Sequence, residues 1–346
     1  MKGKECLPGR RGLVLLGLVA AALLSAGPAT ATAAQAEQSI IKVKPYGLKN
    51  NKVKIMGRVT IAGSLEPWRP DQKVRVFFYR DGKKVSSKLL PVAKGDGNWG
   101  TFKTKHLVDL GGKHSVQARY YGREGDSPLK PDSTSRKGWG VRYPSLSRGQ
   151  CGKVVGGLRE ALNRMAFVPA KSNCFNGKME RAVLAYRKLN GMGRSAKAGK
   201  RVVKSVFSLK GRYRVRKPEL GDHVEAPLSR QVIVFSRGKK PYAIFPIASG
   251  APATPTILGV YTFYWKLPGY NAIGMYYSSF FIRGYAIHGY KSVPNYPASH
   301  GCLRTFIADQ PRIYRLTKIG MPIYTFGDAF SPYRLVRGLP DPAKFD

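Results

Sequence analysis

Two stretches near the C-terminal end of the sequence carry residue types that nucleophilic chemistry needs. One is Ile287-His288-Gly289, and the other is Ala298-Ser299-His300-Gly301-Cys302-Leu303-Arg304. A thiol attacks as its thiolate, so it needs a base or a positive environment. Imidazole is the side chain able to take that proton near neutral pH. Pro294, Tyr296 and Pro297 restrict the intervening loop and favour bringing its two ends together. Glycine beside each candidate lets backbone approach a reacting carbon closely, and the amides of Gly301 and Cys302 could stabilise an oxyanion. Arg304 lies two residues after Cys302, so in a strand both side chains share a face. There it could hold a substrate carboxylate or raise the local positive potential. Blander readings use the same residues. His288 and Cys302 could be structural, or His288, His300 and Cys302 could hold a metal. Zinc would want a further ligand in a sensible arrangement. His223 is the only other histidine in this half, and no Cys-x-x-Cys accompanies it.

The cysteine arithmetic bears on the thiol. Of the four cysteines, Cys6 lies in a predicted N-terminal leader. Lys2, Lys4, Arg10 and Arg11 precede an apolar run from Leu13 to Leu24, followed by small residues, as in a secretory signal peptide over residues 1–36. Ala34-Gln35-Ala36 fits the cleavage rule, as does Ala31-Thr32-Ala33. An uncleaved anchor is the alternative, although the run is shorter than the ~20 residues of a spanning helix. Export permits disulfides. Pairing Cys151 with Cys174 closes a short loop, a stabilisation of about 3 kcal/mol on the chain-entropy argument, and leaves Cys302 free.

The charge is extreme: 60 Lys and Arg against 19 Asp and Glu give +41 over 346 residues. In a cytoplasmic protein that balance points first to nucleic acid. Predicted export removes that class. The remaining acidic partners are anionic wall polymers, lipid headgroups and the carboxylates of peptide stems, with attraction that weakens in salt. A solvated basic surface is the plain alternative.

The elements that must position the candidates fall into three blocks. Over 39–122 the pattern is β: Val53, Ile55, Val59 and Ile61 recur at strand spacing, Val74, Val76 and Phe78 alternate, and Asp81-Gly82 marks a hairpin. Six or seven short strands predict a small Ig-like β-sandwich. His106 and His114 read there as structural or surface residues. Trp68 and Trp99 read as core or turn residues, with stacking on sugars as the alternative. Residues 123–148, rich in Gly, Pro, Ser and charge, read as a linker. Over 149–210 the period becomes helical. Val154, Leu158, Leu162 and Met165 share one face, Asn176 is a candidate N-cap for a helix carrying Met179, Val183, Tyr186 and Leu189, and Val202–Phe207 predicts a third helix. From 220 to 327 β patterning returns, with a hairpin about Arg237–Lys240, strands over Leu258–Trp265 and Phe280–His288, a helix over Asp309–Lys318 and a strand at Pro322–Phe326. Residues 328–346 read as a tail.

Ser299-His300-Gly301-Cys302-Leu303-Arg304, preceded by His288-Gly289, resembles the signature of the L,D-transpeptidase catalytic domain. The upstream SGAPATPTILGVYTFYWKLPGYN resembles that family's strand and substrate-loop region, so the resemblance covers 220–327. The ten residues from Gly289 to Ala298 make a shorter spacing than in many members, which puts acceptor preference in doubt. The stretches VVGGLREALNRMAF and CFNGKMERAVLAYRKLNGM resemble the three-helix peptidoglycan-binding module, departing from it at Arg159 and Arg187. Wall binding and a purely structural spacer are both open there. The implied architecture is multidomain: β-sandwich, small three-helix module and mostly-β catalytic domain.

The resemblance implies roles. Cys302 is the nucleophile, His288 its base, and the Gly289 carbonyl orients the imidazole. Gly301 and Cys302 amides form the oxyanion hole, Arg304 helps hold pocket or substrate, and Ser299 and His300 support. It implies no metal or organic cofactor, peptidoglycan peptide stems as partners, 3→3 cross-linking, and carbapenems as acylating agents. Rival expectations are an L,D-carboxypeptidase that uses water, and a wall-binding protein without activity.

Overall fold

The computed structural model describes residues 35–124, 128–169 and 171–327. Cys6, nearly all of the predicted leader and the expected tail lie outside the described residues.

The N-terminal block is a two-sheet sandwich. One sheet orders β1 (Ile40–Tyr46), β3 (Arg58–Glu66), β7 (Gly100–Leu107) and β6 (Ala93–Lys94). The other orders β2 (Lys52–Lys54), β10 (Lys137–Arg142), β8 (His114–Tyr120), β4 (Lys73–Arg80) and β5 (Lys83–Pro91), with β9 (Asp132–Ser133) paired to β8. Alternation builds the core: Val59, Ile61 and Leu65 of β3 meet Val74, Val76 and Phe78 of β4. Asp81 and Gly82 both take positive φ between β4 and β5, as a two-residue hairpin turn requires. The linker expectation is corrected here. Within 123–148, β10 pairs with both β2 and β8, and β9 adds to β8. Trp139 of β10 is buried in the sandwich core; its neighbouring glycines, read as loop signals, flank an inward-facing ring.

Three helices follow: α1 (Lys153–Asn163), α2 (Gly177–Leu189) and α3 (Lys200–Phe207). Their apolar stripes close on one another through Leu158, Leu162, Met179, Val183, Val203 and Phe207. The Asn176 side chain accepts from the Met179 amide at 3.1 Å, so the expected N-cap forms. Cys151 and Cys174 are disulfide-bonded, and Cys302 is free.

The C-terminal block is a second pair of sheets. Five strands run β13 (Lys240–Pro246), β12 (Val232–Arg237), β11 (Asp222–Pro227), β19 (Pro322–Phe326) and β14 (Gly259–Thr262). Four run β15 (Trp265–Tyr270), β16 (Tyr276–Ile282), β17 (Tyr285–Tyr290) and β18 (Leu303–Phe306), with α4 (Gln310–Leu316) after β18. The single strand expected over Phe280–His288 is two. Arg283, at positive φ, turns the chain between β16 and β17 beside Gly284. The turn was hidden because apolar residues flank it closely on both sides.

Strand β12 shows why the helices sit where they do. Ile233 and Phe235 face the core between the two C-terminal sheets, whereas Val232 and Val234 join the core shared with the helices. A strand buried on both faces reads as a continuous apolar run. Polar contacts lock the seam. Arg181 of α2 holds Asp309, at the start of α4, through two bonds of 2.6 and 2.9 Å. Lys188 Nζ donates to the Ile247 carbonyl at 2.7 Å. Arg194 and Asn295 exchange side chain-to-backbone bonds of 2.5 and 3.1 Å, which ties the helical block to the loop between His288 and Cys302.

The Arg181–Asp309 pair is little exposed, 17% and 5% at the side chains. Removing one partner of such a pair strands the other charge, at a cost of about 2 to 3 kcal/mol here, below the fully buried range. Arg181→Ala should therefore lower the denaturant midpoint of the oxidised protein. Arg181→Lys should recover only part of the loss, because an ammonium cannot make the fork. An unchanged midpoint in Arg181→Ala would show that the pair does not hold the seam.

Candidate active site

The geometry begins with two adjacent parallel strands. β17 and β18 pair with Ile287 opposite Leu303 and His288 opposite Arg304. Ile287 and Leu303 are fully buried in the core between the sheets. Because side chains alternate along a strand, Ala286, His288 and Arg304 take the other face. Cys302 lies one step before β18, and carrying the register back sets it against Ala286 on that same face. It packs with Met275, Phe280, Ala286 and Leu267 in a small apolar cluster. The Ala286 amide donates to the sulfur, and the thiol donates to the Gly284 carbonyl at 3.5 Å.

His288 is buried, and its Nδ1 lies 2.9 Å from the Gly289 carbonyl. A carbonyl only accepts, so in the neutral ring the proton is on Nδ1 and Nε2 keeps its lone pair. Burial pulls the imidazole down to about 4; the Gly289 carbonyl opposes that fall and the Arg304 charge adds to it. Burial also pushes the Cys302 thiol up, against the Ala286 amide and Arg304. Desolvation outweighs the neighbours in both cases. The resting site therefore holds a neutral thiol and a neutral imidazole, whereas the residue types suggested a thiolate favoured by its surroundings.

The segment leading into Cys302 is tied down residue by residue. Ser299 Oγ donates to the Cys302 carbonyl at 2.5 Å and accepts from the Gly301 amide at 3.1 Å. The Ser299 carbonyl accepts from the Ala251 amide at 2.8 Å and from Thr254 Oγ1 at 2.9 Å. Thr256 Oγ1 donates to the Gly301 carbonyl at 2.7 Å. Gly301 has φ +106°, and a Cβ there would lie 2.3 Å from the Tyr285 ring, so only glycine fits the approach to Cys302. With the Gly301 amide engaged by Ser299, the oxyanion expectation narrows towards the Cys302 amide.

Arg304 is partly buried. It donates from Nη1 to the Ala298 carbonyl at 3.1 Å and lies over the Tyr290 ring, 4.3 Å from its centroid. Tyr290 in turn meets the His288 ring edge-on at 5.7 Å. His300 is exposed to solvent. His223 is elsewhere: it is buried on β11 and bonded to Gly221 and Glu225. No group of three or more His, Cys, Asp or Glu suited to a metal occurs among the described residues.

Several contributors were not legible beforehand. Gln310 Nε2 donates to the Tyr277 carbonyl at 2.6 Å and the Ile287 carbonyl at 3.3 Å, and its Oε1 accepts from Thr305 Oγ1. Thr305 Oγ1 also contacts the His288 carbonyl at 3.1 Å. A glutamine opening a short helix carries no spacing signal for that role. Thr254 and Thr256 lie within the segment whose likeness to a substrate loop was legible, but their anchoring of Ser299 and Gly301 was not.

Residues 221–325 match the YkuD family, the L,D-transpeptidase catalytic domain. Among solved structures, an L,D-transpeptidase from Xylanimonas cellulosilytica is 25% identical, with 54% of this chain and 98% of that one covered and a TM-score of 0.49. An Enterococcus faecium L,D-transpeptidase, solved as a cysteine-to-serine mutant, is 23% identical over 31% of this chain and 50% of that one, with a TM-score of 0.28. One from Stackebrandtia nassauensis is 18% identical over 55% and 98%, with a TM-score of 0.35. A comparison with curated proteins finds no match. The family match spans β11 to β19 and includes both His288 and Cys302. Over residues 221–325 the chain carries an L,D-transpeptidase catalytic domain.

Proposed function

We propose that the protein cross-links peptidoglycan peptide stems by two-step acyl transfer, with Cys302 as nucleophile and His288 as general base. The observation that carries this reading is the β17–β18 register. It puts both side chains on one face while the Gly289 carbonyl holds the imidazole in the tautomer with Nε2 unprotonated.

The neutral resting pair sets the order of events. A turn about the Cα–Cβ bond of Cys302 redirects its proton from the Gly284 carbonyl to His288 Nε2. Proton removal accompanies attack of the sulfur on the carbonyl of residue three of a tetrapeptide stem. The Cys302 amide donates to the developing oxyanion. The tetrahedral intermediate collapses, His288 returns the proton to the departing nitrogen, and terminal D-Ala leaves. A thioester remains on Cys302. The side-chain amine of a neighbouring stem, meso-diaminopimelate in the usual case, attacks the thioester carbonyl as His288 takes its proton. The thiol is restored and a 3→3 amide cross-link forms. Arg304 contributes a fixed positive charge beside the site, suited to a stem carboxylate. Ser299 holds the Cys302 segment, and exposed His300 is a supporting residue at its rim.

The place of action follows from the same chemistry. Family members act on the cell wall, and a Cys151–Cys174 disulfide fits an oxidising compartment outside the cytoplasm. No helix among the described residues is long and apolar enough to cross a membrane. Residues 1–36 would direct export, and the +41 charge would favour anionic wall polymers or lipid headgroups.

Mass spectrometry of products from a tetrapeptide-stem muropeptide, with Cys302→Ala as control, tests the reaction. The expected product is a Cys302-dependent dimer lacking one D-Ala. Tripeptide alone would identify a carboxypeptidase, and no change in substrate would favour a non-catalytic wall protein. The protonation states have their own test. Because the thiol is pushed above its usual value, Cys302 should alkylate with iodoacetamide more slowly than free cysteine at pH 7.5, and the rate should keep rising into the alkaline range. A plateau beginning at or below neutral pH would indicate a resting thiolate and contradict the neutral pair.

A further inference from the structure

The sheet that carries Cys302 holds an exposed tryptophan in line with the thiol. The register sets Trp265 of β15 opposite Phe280 of β16, and Phe280 opposite Ala286 of β17. Cys302, one step before β18, continues the row. Four residues on four adjacent strands thus share the reacting face. β18 and β15 are the two outer strands, so this row runs from Cys302 across the sheet and ends at Trp265.

Phe280, Ala286 and Cys302 pack together with Met275 and Leu267, and Phe280 is buried. Trp265 is not. Its indole stacks on the Phe280 ring at 4.7 Å between centroids and 18° between planes, yet 48% of the residue stays exposed. Phe280 therefore holds one face of the indole while the rest of the ring meets solvent. Lys266, pointing to the other side of β15, donates to the Tyr314 and Thr317 carbonyls at 2.7 and 2.9 Å. Those bonds pin β15 and fix the direction in which Trp265 faces.

Distance and chemistry select the same part of a substrate. Strands lie ~4.8 Å apart, so three spacings put Trp265 about 14 Å from Cys302. With the carbonyl of residue three at Cys302, two stem residues and the lactyl link separate it from the sugar. At ~3.5 Å per unit of extended chain, the sugar begins about 10 Å away, with its ring centred a little further out. The stem itself offers carboxylates, amides and an amine, none of which has a flat apolar face. A pyranose ring has one, and an indole takes its C–H surface by dispersion. We propose that Trp265 is a specificity-determining residue that stacks on the amino sugar bearing the donor stem, so that stems still attached to glycan are preferred over free peptide. The proposal rests on the reading of peptide stems as substrate, and it concerns binding rather than proton transfer at Cys302.

Calorimetric titration of the Cys302→Ala protein, which cannot form the thioester, tests it with a disaccharide-tetrapeptide and with the same tetrapeptide lacking sugar. The sugar-bearing ligand should bind at least fivefold more tightly. Adding Trp265→Leu, which keeps an apolar cover on Phe280 but no flat ring, should bring the two ligands within twofold of each other. Trp265→Phe should retain most of the difference. Trp99→Leu, which removes an exposed indole from the N-terminal sandwich, should leave the difference unchanged. A preference for the disaccharide-tetrapeptide, lost in Trp265→Leu, with no release of D-Ala by the unsubstituted protein, would sink the proposed reaction and leave the sugar contact standing. Equal binding of the two ligands, binding of neither, or a preference that survives Trp265→Leu would overturn the proposal.

Discussion

The candidate site depends on one constraint, the parallel pairing of β17 with β18 in the register that sets Ile287 against Leu303. Both residues are driven into the core between the C-terminal sheets. A slip by one residue would expose them and bury the polar side chains in their place. The apolar pair therefore fixes what its neighbours do. His288, Arg304 and, one step back, Cys302 must share the opposite face. The arrangement of the candidate site is thus enforced by hydrophobic burial on the opposite side of the sheet. The remaining polar contacts refine it: Gly289 sets the imidazole tautomer, Ser299 and Thr256 hold the approach to Cys302, and Gln310 ties β16 and β17 to α4.

The same burial sets the protonation states. A thiol beside Met275, Phe280 and Ala286 is in an apolar neighbourhood, and so is a histidine enclosed beneath Tyr290. Desolvation disfavours charge on both. Arg304 shifts the two groups in the same direction, lowering each, so it favours the thiolate while keeping the imidazole unprotonated. A site organised this way keeps the Cys302 thiol protonated until a base and an electrophile act together. That restraint also limits oxidation of the thiol before substrate arrives, since the thiolate is the form that oxidants attack.

Much of this was readable in the residues because the signals were local. The alternation of Val74, Val76 and Phe78, the Asp81-Gly82 turn, the Asn176 cap and the Cys151–Cys174 pairing each depend on a few neighbouring positions. His288 and Cys302 were readable because their types are rare and their surroundings distinctive. The failures are tertiary. Residues 123–148 read as linker because Gly, Pro, Ser and charge dominate their composition, yet Trp139 finds a core that only the distant β2 and β8 complete. The Arg283 turn was hidden within apolar sequence. The engagement of the Gly301 amide by Ser299, and the upward shift of Cys302, depend on packing that no spacing encodes. Arg181, Lys188 and Arg194 carry no spacing signal in the sequence that would set them apart from the many other basic residues of the chain. Only the fold shows them reaching Asp309, Ile247 and Asn295 and joining the helical block to the segments around the site.

The central claim is that Cys302 reacts through His288, and it is tested most directly by intact-mass and peptide mapping of the protein during acylation by a carbapenem. The account predicts one adduct, located on Cys302, that forms at least tenfold more slowly in His288→Asn and at nearly the unsubstituted rate in His300→Asn. An adduct elsewhere, or a rate that follows His300 instead of His288, would contradict it.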